Sequence, residues 1–202
     1  RVVVAGYSSD SIAIVDVSDP TAPSRTGGLL LNSVTETSGC GPWGTAYDPA
    51  NEIIFVACYG TNSLVVLSLA ADATNPTYQG KVESTEYLSS PWHATFLPGQ
   101  DVVFITGQSS SAVAAVDVSD PTNPEILTGL ISSTHLSGAV GIAIDAAAKL
   151  LVVGRYLPAG SPKTVTVLNG VQLLLPAVGR RYISQMRNSV LRRTQISSTQ
   201  LK

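Results

Sequence analysis

Short apolar runs, separated by turn-forming residues, recur along most of the chain. EIIFVAC (52–58) and SLVVLSL (63–69) are rich in β-branched and aromatic residues and are bounded by Asn, Gly or Asp within a few positions. Runs of about four to eight residues with this composition are typical of β-strands. No segment before Gly170 shows a sustained helical period. The pattern therefore predicts an all-β fold.

The runs repeat about every fifty residues. PWGTAYDPANEIIFVACYG (42–60) aligns without a gap on PWHATFLPGQDVVFITGQS (91–109) at an offset of 49, and AVGIAIDAAAKLLVVGRY (139–156) follows 48 residues later. VVAGYSSDSIAIVDV (3–17) aligns with 55–69 at an offset of 52. Four short antiparallel strands in a repeat of this length are typical of a β-propeller blade. We predict about four blades over residues 1–170, either as a small propeller or as part of a larger one.

The apolar runs predict about 14 strands, divided three, four, four and three among the units. The clearest are expected near 53–58, 64–69, 102–106 and 113–118. The first unit lacks its innermost strand and the last lacks a recognisable outer one. Because uncovered sheets invite association, we expect the faces of VVVAG (2–6) and LLVVG (150–154) to need cover from more of the gene product, a second copy or another partner.

One turn motif occurs at equivalent positions two repeats apart. IAIVDVSDPTAP (12–23) returns as VAAVDVSDPTNP (113–124), and LVVLSLAADATNP (64–76) is a weaker copy between them. Its first proline suits the corner of a turn, its second suits an edge strand, and Asp19 and Asp120 can accept backbone N–H bonds inside the turn. The carboxylates are too few for calcium, which takes about six to eight oxygens.

These segments resemble the LVIVD repeat, a β-propeller repeat of bacterial and archaeal surface or secreted proteins. The unit PWGTAYDPANEIIFVACYGTNSLVVL (42–67) is similar to the related YVTN and lactonase-type repeats. The resemblance covers about residues 2–168 and implies a propeller in a surface setting, but no chemistry. The fourth unit, GRYLPAGSPKTVTVLNG (154–170), departs from the pattern through an insertion and the loss of VDVSDP.

Composition agrees with an extracellular protein. Charged residues make up 13% of the chain, about half the usual share, and no run is long enough to span a membrane. The sequence starts at Arg1 inside a strand-like run, so we expect a mature fragment or an incomplete sequence.

In a hairpin that turns at 49–51, Cys40 falls opposite Cys58 or within a residue or two of it. A disulfide, which would fit an oxidising compartment, and two small buried hydrophobes are both open interpretations.

Candidate site residues are few. His93 stands where other units carry Gly44 and Gly141, and it is either a residue of the central channel or a loop histidine held by one hydrogen bond. Trp43 and Trp92 recur at one repeat position, which indicates packing or an exposed aromatic platform for carbohydrate or peptide. No catalytic motif is present, so no catalytic residue, metal ligand or cofactor is assigned.

The charge of the chain changes sign at Gly170. The segment before it carries 14 acidic and six basic residues, whereas 171–202 carries six basic residues and no acid. This tail, a second region after the propeller, could form a basic helix with Ile183, Met186 and Val190 on one side. Such a helix binds acidic surfaces, membranes or nucleic acid. The alternatives are a disordered tail, a helix docked on the propeller itself or a non-native end, and no nucleic-acid partner is expected.

The sequence as a whole predicts a non-catalytic binding or assembly scaffold of a cell-surface or secreted structure. A protein partner or further copies of the chain are the expected partners, with carbohydrate as another ligand class. The alternative function is a lactonase-like or other hydrolytic propeller enzyme that uses His93 and carboxylates of the central channel.

Overall fold

The computed structural model describes residues 1–147, 149–156, 164–169 and 191–195 of the chain. These residues form 15 β-strands and two short 3-10 helices, Leu31–Ser33 and Thr35–Thr37. None of the helices in this described part is long and apolar enough to cross a membrane.

The strands form four antiparallel sheets, which we call blades 1 to 4. Blade 1 contains β1 (Val2–Gly6), β2 (Ser11–Asp16) and β3 (Ser24–Leu30). Blade 2 contains β4 (Pro42–Asp48), β5 (Ile53–Cys58), β6 (Ser63–Ser68) and β7 (Thr77–Glu83). Blade 3 contains β8 (Pro91–Leu97), β9 (Val102–Gly107), β10 (Ala112–Asp117) and β11 (Glu125–Ile131). Blade 4 contains β12 (Ala139–Asp145), β13 (Leu150–Arg155), β14 (Thr164–Asn169) and β15 (Leu191–Gln195).

The predicted all-β propeller architecture is confirmed, and the clearest predicted strands lie within a residue of their expected positions. Blade 1 has three strands because β1 is the repeat equivalent of β5, the second strand of a full blade. The last blade differs from the expectation that it lacks an outer strand, because β15 pairs antiparallel with β14. The rest of the predicted basic tail lies outside the described residues.

Consecutive blades pack face to face around three apolar cores. The core between blades 1 and 2 includes Ile12, Ile14 and Val56, and the core between blades 2 and 3 includes Phe55 and Ile105. A third core joins blades 3 and 4. Every residue of β5 and β6 is buried, since these strands have a blade on each side. Full burial of one large aliphatic side chain contributes about 1.5–3 kcal/mol, so these cores dominate the stability of the fold.

Each copy of the turn motif is held by an aspartate that bonds to a threonine two residues later. Asp19 Oδ1 accepts hydrogen bonds from the backbone N–H and the hydroxyl of Thr21, at 2.9 and 2.6 Å. The same two bonds link Asp72 to Thr74 and Asp120 to Thr122. Because these bonds favour the ionised carboxylate, they lower the pKa of all three aspartates.

The turn of one blade packs against a glycine in the outer strand of the preceding blade. Thr74 of blade 2 lies so close to Gly27 of blade 1 that a side chain there would collide with its carbonyl group, and the same oxygen accepts the Gly28 N–H at 2.9 Å. Thr122 of blade 3 contacts Gly80 of blade 2 in the same way. The motif therefore fixes the spacing between neighbouring blades, in addition to turning the chain.

We expect Gly80→Ala to lower the free energy of unfolding by about 1–3 kcal/mol, because the added methyl group would overpack this contact. A Cβ at Gly80 would lie 2.7 Å from the Thr122 carbonyl oxygen. Gly141→Ala is the matched control, since a Cβ at Gly141 meets no atom within 4 Å. Urea denaturation of both variants measures the difference, and equal midpoints for the two would contradict the proposed contact.

Cys40 and Cys58 form a disulfide bond with their Cα atoms 4.5 Å apart. Both residues are fully buried and belong to the core between blades 1 and 2. Cys58 ends β5 and pairs with Pro42 at the start of β4. The bond therefore ties the segment that enters blade 2 to the far end of the first hairpin of that blade.

Removing this bond should lower the free energy of unfolding by about 3 kcal/mol, because the bond closes a loop that spans 18 residues in sequence. The measurement is denaturation of the oxidised chain, the reduced chain and a Cys40→Ala/Cys58→Ala variant. Reduction should also raise the intact mass by about two daltons, the two hydrogens lost when the bond forms. Alkylation of both thiols without prior reduction would show that the bond is absent.

Candidate binding site

Trp43 and Trp92 are the second residues of the innermost strands of blades 2 and 3. At both places the pairing register shifts, so that Trp43 has no direct partner in β5 and Trp92 and His93 have none in β9. Bulges of this kind turn a side chain away from the regular alternation of a strand. The two indole rings consequently stack on each other, with centroids 4.1 Å apart and planes inclined by 21°.

Two tyrosines extend the stacked pair into an aromatic cluster. The Tyr7 and Trp43 ring centroids are 4.9 Å apart. Tyr59 lies 6.3 Å from Trp43 and meets Tyr7 edge to face at 6.0 Å. Each such pair contributes about 0.5–1.5 kcal/mol beyond the area it buries. The cluster is also open to solvent, since Trp43 is 40% and Tyr7 46% exposed, so it is a surface feature as well as a packing element.

The strands β1, β5, β9 and β13 are equivalent in the repeat, and the position that follows them carries Tyr7, Tyr59, Gln108 and Tyr156 in turn. In blade 3, Gln108 Oε1 accepts a hydrogen bond of 3.0 Å from Trp92 Nε1, which fixes the plane of that indole. In blade 2, the Tyr59 ring packs near Trp43 instead. The sequence analysis missed Tyr7, Tyr59 and Gln108, although their recurrence at one offset was visible in the repeat alignment.

His93 is exposed on β8, next to the aromatic pair. Its Nδ1 lies 3.2 Å from the carbonyl oxygen of Ile142 in blade 4. Because a carbonyl can only accept, Nδ1 is the donor in this contact. The backbone N–H of His93 donates to the hydroxyl of Thr106, which in turn donates to the carbonyl of Val140. Within the described residues, no group of three His, Cys, Asp or Glu side chains could hold a metal ion.

A groove of about 590 Å³ runs from the two tryptophans to the face of blade 4 that points away from blade 3. Its volume is within the range of about 300–1,000 Å³ that is typical of ligand sites. His93 is its single titratable lining residue in the described part of the chain, and the blade 4 wall consists of small or aliphatic residues. The lining residues are Trp43, Trp92, His93, Val140, Gly141, Ile142, Ala143, Val152, Gly154 and Val165.

Asp10 supports the backbone beneath the aromatic cluster. It is 9% exposed, and its Oδ1 accepts the Gly41 N–H at 2.8 Å, while Oδ2 is buried without a hydrogen-bond partner. Asn62 occupies the equivalent position in blade 2, where its Oδ1 accepts the Ser90 N–H at 2.9 Å. Both side chains therefore anchor the segment that leads into the next innermost strand, but Asp10 does so with a charged group.

Asp10→Asn should change the free energy of unfolding little, because the amide keeps the Oδ1 acceptor for the Gly41 N–H and places an amino group where the unpaired Oδ2 lies. Asp10→Ala should lower the free energy of unfolding by about 1–3 kcal/mol, because the part-buried Gly41 N–H loses its acceptor. Thermal or urea denaturation compares the two variants. An equally large loss in both would mean that the ionised carboxylate is itself required.

The LVIVD repeat family matches residues 6–28 of the chain, which include the first copy of the turn motif. This match agrees with the resemblance seen in the sequence and confirms it for this segment. No curated protein matches the chain.

Several solved β-propellers share the fold. A protein of Bacteroides fragilis, provisionally assigned as a 6-phosphogluconolactonase, is 12% identical with a TM-score of 0.66 and aligns with 96% of this chain and 54% of its own. The Myceliophteria thermophila Cps50 (Swd1) β-propeller domain is 9% identical, with a TM-score of 0.59 and coverage of 93% and 53%. A structure of the nidogen/laminin complex aligns at 14% identity and a TM-score of 0.54, over 79% and 53%.

This chain spans about half the length of each of these structures. At such low identity the likeness shows a common fold and nothing about activity.

Proposed function

Since the chain is a β-propeller that carries an LVIVD repeat, we propose that it is a non-catalytic binding and assembly module of a secreted or cell-surface structure. The buried disulfide supports this setting, because such bonds persist in oxidising compartments. The low share of charged residues and the surface context of LVIVD-type repeats support it as well. A nidogen/laminin complex among the structural neighbours is an example of a propeller fold that takes part in a protein complex.

The observation that carries the proposal is the uncovered face of blade 1. Val2 and Val4 are each 46% exposed, whereas their repeat equivalents Ile54 and Val56 are fully buried against blade 1. Val17 is likewise exposed where its equivalent is buried. The same positions that form a blade-to-blade core in blade 2 are therefore apolar and open in blade 1, which is typical of a surface that a further blade covers, whether from more of the same gene product or from a partner.

The turn motif of blade 1 points to the kind of partner. Its aspartate makes the same bonds as the aspartates of the turns in blades 2 and 3, which pack against a glycine of the preceding blade. In blade 1 the equivalent residue is Thr21, and no glycine of the described residues packs against it. A second copy of the chain is poorly suited to pack against this turn. The outer strands of its blades 3 and 4 carry Thr128 and Arg192 at the position where blades 1 and 2 have Gly27 and Gly80. The proposed occupant is a further blade of the LVIVD type with glycine at this position, contributed by the rest of the gene product or by a partner.

A dye that binds exposed apolar surface tests the face directly. The isolated chain should bind the dye, and Val4→Lys should reduce that binding without lowering the unfolding midpoint, because Val4 is already half exposed. Ile131→Lys is the matched control, since Ile131 is 48% exposed on the outer strand of blade 3 and away from this face. A compact monomer that binds no dye would remove the support for assembly, and self-association abolished by Val4→Lys would identify a second copy as the occupant.

A lactonase-like hydrolase has less support. His93 is the candidate base, but its Nδ1 contacts a backbone carbonyl rather than a carboxylate that would orient the ring and stabilise its charged form. The lactonase assignment belongs to structural neighbours at about 12–14% identity, where only the fold is shared.

A further inference from the structure

The edge of β1 is a surface distinct from the open face of blade 1. The strands equivalent to β1 in the repeat, which are β5, β9 and β13, each pair with a strand on both sides. Among the described residues, β1 pairs with β2 alone. An unpaired edge presents a row of backbone N–H and C=O groups with which another chain can pair.

We propose that this edge accepts an extended strand that begins with Pro-Trp, as the innermost strands of blades 2 and 3 do. The added strand becomes the innermost strand of blade 1, which is then built from two segments. This inference rests on the proposed assembly function and deepens it, because it names the segment through which the further blade is joined to blade 1.

The repeat fixes how the added strand pairs. In blade 2, β4 and β5 run antiparallel, with Ala46 opposite Phe55. Phe55 is the repeat equivalent of Val3, at the offset of 52. A strand in the same register therefore runs antiparallel to β1 and places its fifth residue opposite Val3.

The backbone of β1 can take up this strand without giving up a contact. The carbonyl oxygen of Val3 accepts a hydrogen bond of 2.9 Å from the Thr45 hydroxyl of blade 2. A carbonyl oxygen has two lone pairs, so the same oxygen can also accept a backbone N–H. The side chains of β1 point to the two faces of its sheet and leave the edge to the backbone. Pairing at the edge is therefore compatible with the present packing.

The aromatic cluster explains why the added strand carries tryptophan at its second position. Trp43 stacks on Trp92 of the next blade at 4.1 Å, and it lies 6.3 Å from Tyr59 of its own blade. Tyr7 is the repeat equivalent of Tyr59. A tryptophan placed in the same way in blade 1 lies beside Tyr7 and reaches Trp43. These two rings are 46% and 40% exposed, so each has free surface for a further indole.

The repeat also indicates where the strand comes from. The chain has Pro-Trp twice, at 42–43 and 91–92, and both copies already pair with the next strand of their own blades. A second copy of the chain therefore has no free strand of this type. In the described blades, the segment that follows an outer strand becomes the innermost strand of the next blade, as β3 leads to β4 and β7 leads to β8. A further blade on the open face of blade 1 delivers its following segment to the edge of β1 in the same way.

The test adds a synthetic peptide, GPWGTAYDPA, to the full chain; the peptide copies residues 41–50. Calorimetry should show saturable binding, and hydrogen exchange should slow at the amides of β1 but not at those of β11. A peptide with alanine in place of its tryptophan should bind about two- to tenfold more weakly, as expected for the loss of an aromatic pair. A scrambled peptide of the same composition is the matched control and should not protect β1.

Two N-methylated peptides test pairing through the backbone. Alternate N–H groups of a strand point to opposite edges, so methylation of one alternate set should abolish binding, and methylation of the other set should leave it intact. In the protein, Trp43→Ala should weaken binding by a similar two- to tenfold, whereas Ile131→Lys, on the outer strand of blade 3, should leave it unchanged. Circular dichroism and unfolding midpoints confirm that both variants are folded.

The proposal is overturned if the peptide does not bind, if the alanine peptide binds equally well, if both methylated peptides behave alike, or if the protected amides lie outside β1. The dye measurement on the unmodified chain reports on the open face and not on the edge. A chain that binds the peptide but no dye would remove the support for assembly and retain the strand site. A chain that binds the dye but not the peptide would have the opposite meaning.

Discussion

The face-to-face burial of neighbouring blades is the constraint on which the rest of this structure depends. A four-stranded sheet whose middle strands are apolar on both faces is stable only when another sheet covers each face. The cores on either side of blade 2 satisfy that requirement. The contacts of Thr74 with Gly27 and of Thr122 with Gly80 then set how closely the blades approach. The LVIVD-type turn thus acts between blades, although the bonds of its aspartate are local to the turn.

The aromatic cluster is a consequence of the same packing. Tyr7 belongs to blade 1, Trp43 and Tyr59 to blade 2, and Trp92 to blade 3, so the cluster exists only because three blades lie side by side. The disulfide and the Asp10 bond to Gly41 stabilise the segments between those strands. The aromatic cluster and the stability of the fold are therefore closely linked in this protein, and changes that loosen the blade interfaces should also disturb the cluster.

Much of the fold could be predicted from the residues because a propeller repeats local patterns. Strand lengths, the fifty-residue period and the turn prolines are all encoded within one unit, and they located β5, β6, β9 and β10. The outer strand β15 could not be predicted, because its sequence LRRTQ has no apolar run and it pairs with β14 across more than twenty intervening residues. Of the candidate site, Trp43, Trp92 and His93 were found from the repeat, whereas their stacking partners were not.

The sequence by itself determined the repeat, the strand order within each blade and the aspartate turns, since all of these depend on residues close together in the chain. Only the tertiary structure decided which recurrent residues meet. Trp43 and Trp92 are 49 positions apart in sequence, and they stack because blades 2 and 3 pack side by side, which brings β4 next to β8. Similarly, Val4 and Val56 look alike in the sequence, but one is exposed and the other buried. The physical reason is that burial depends on whether a neighbouring sheet is present, and no local pattern encodes that.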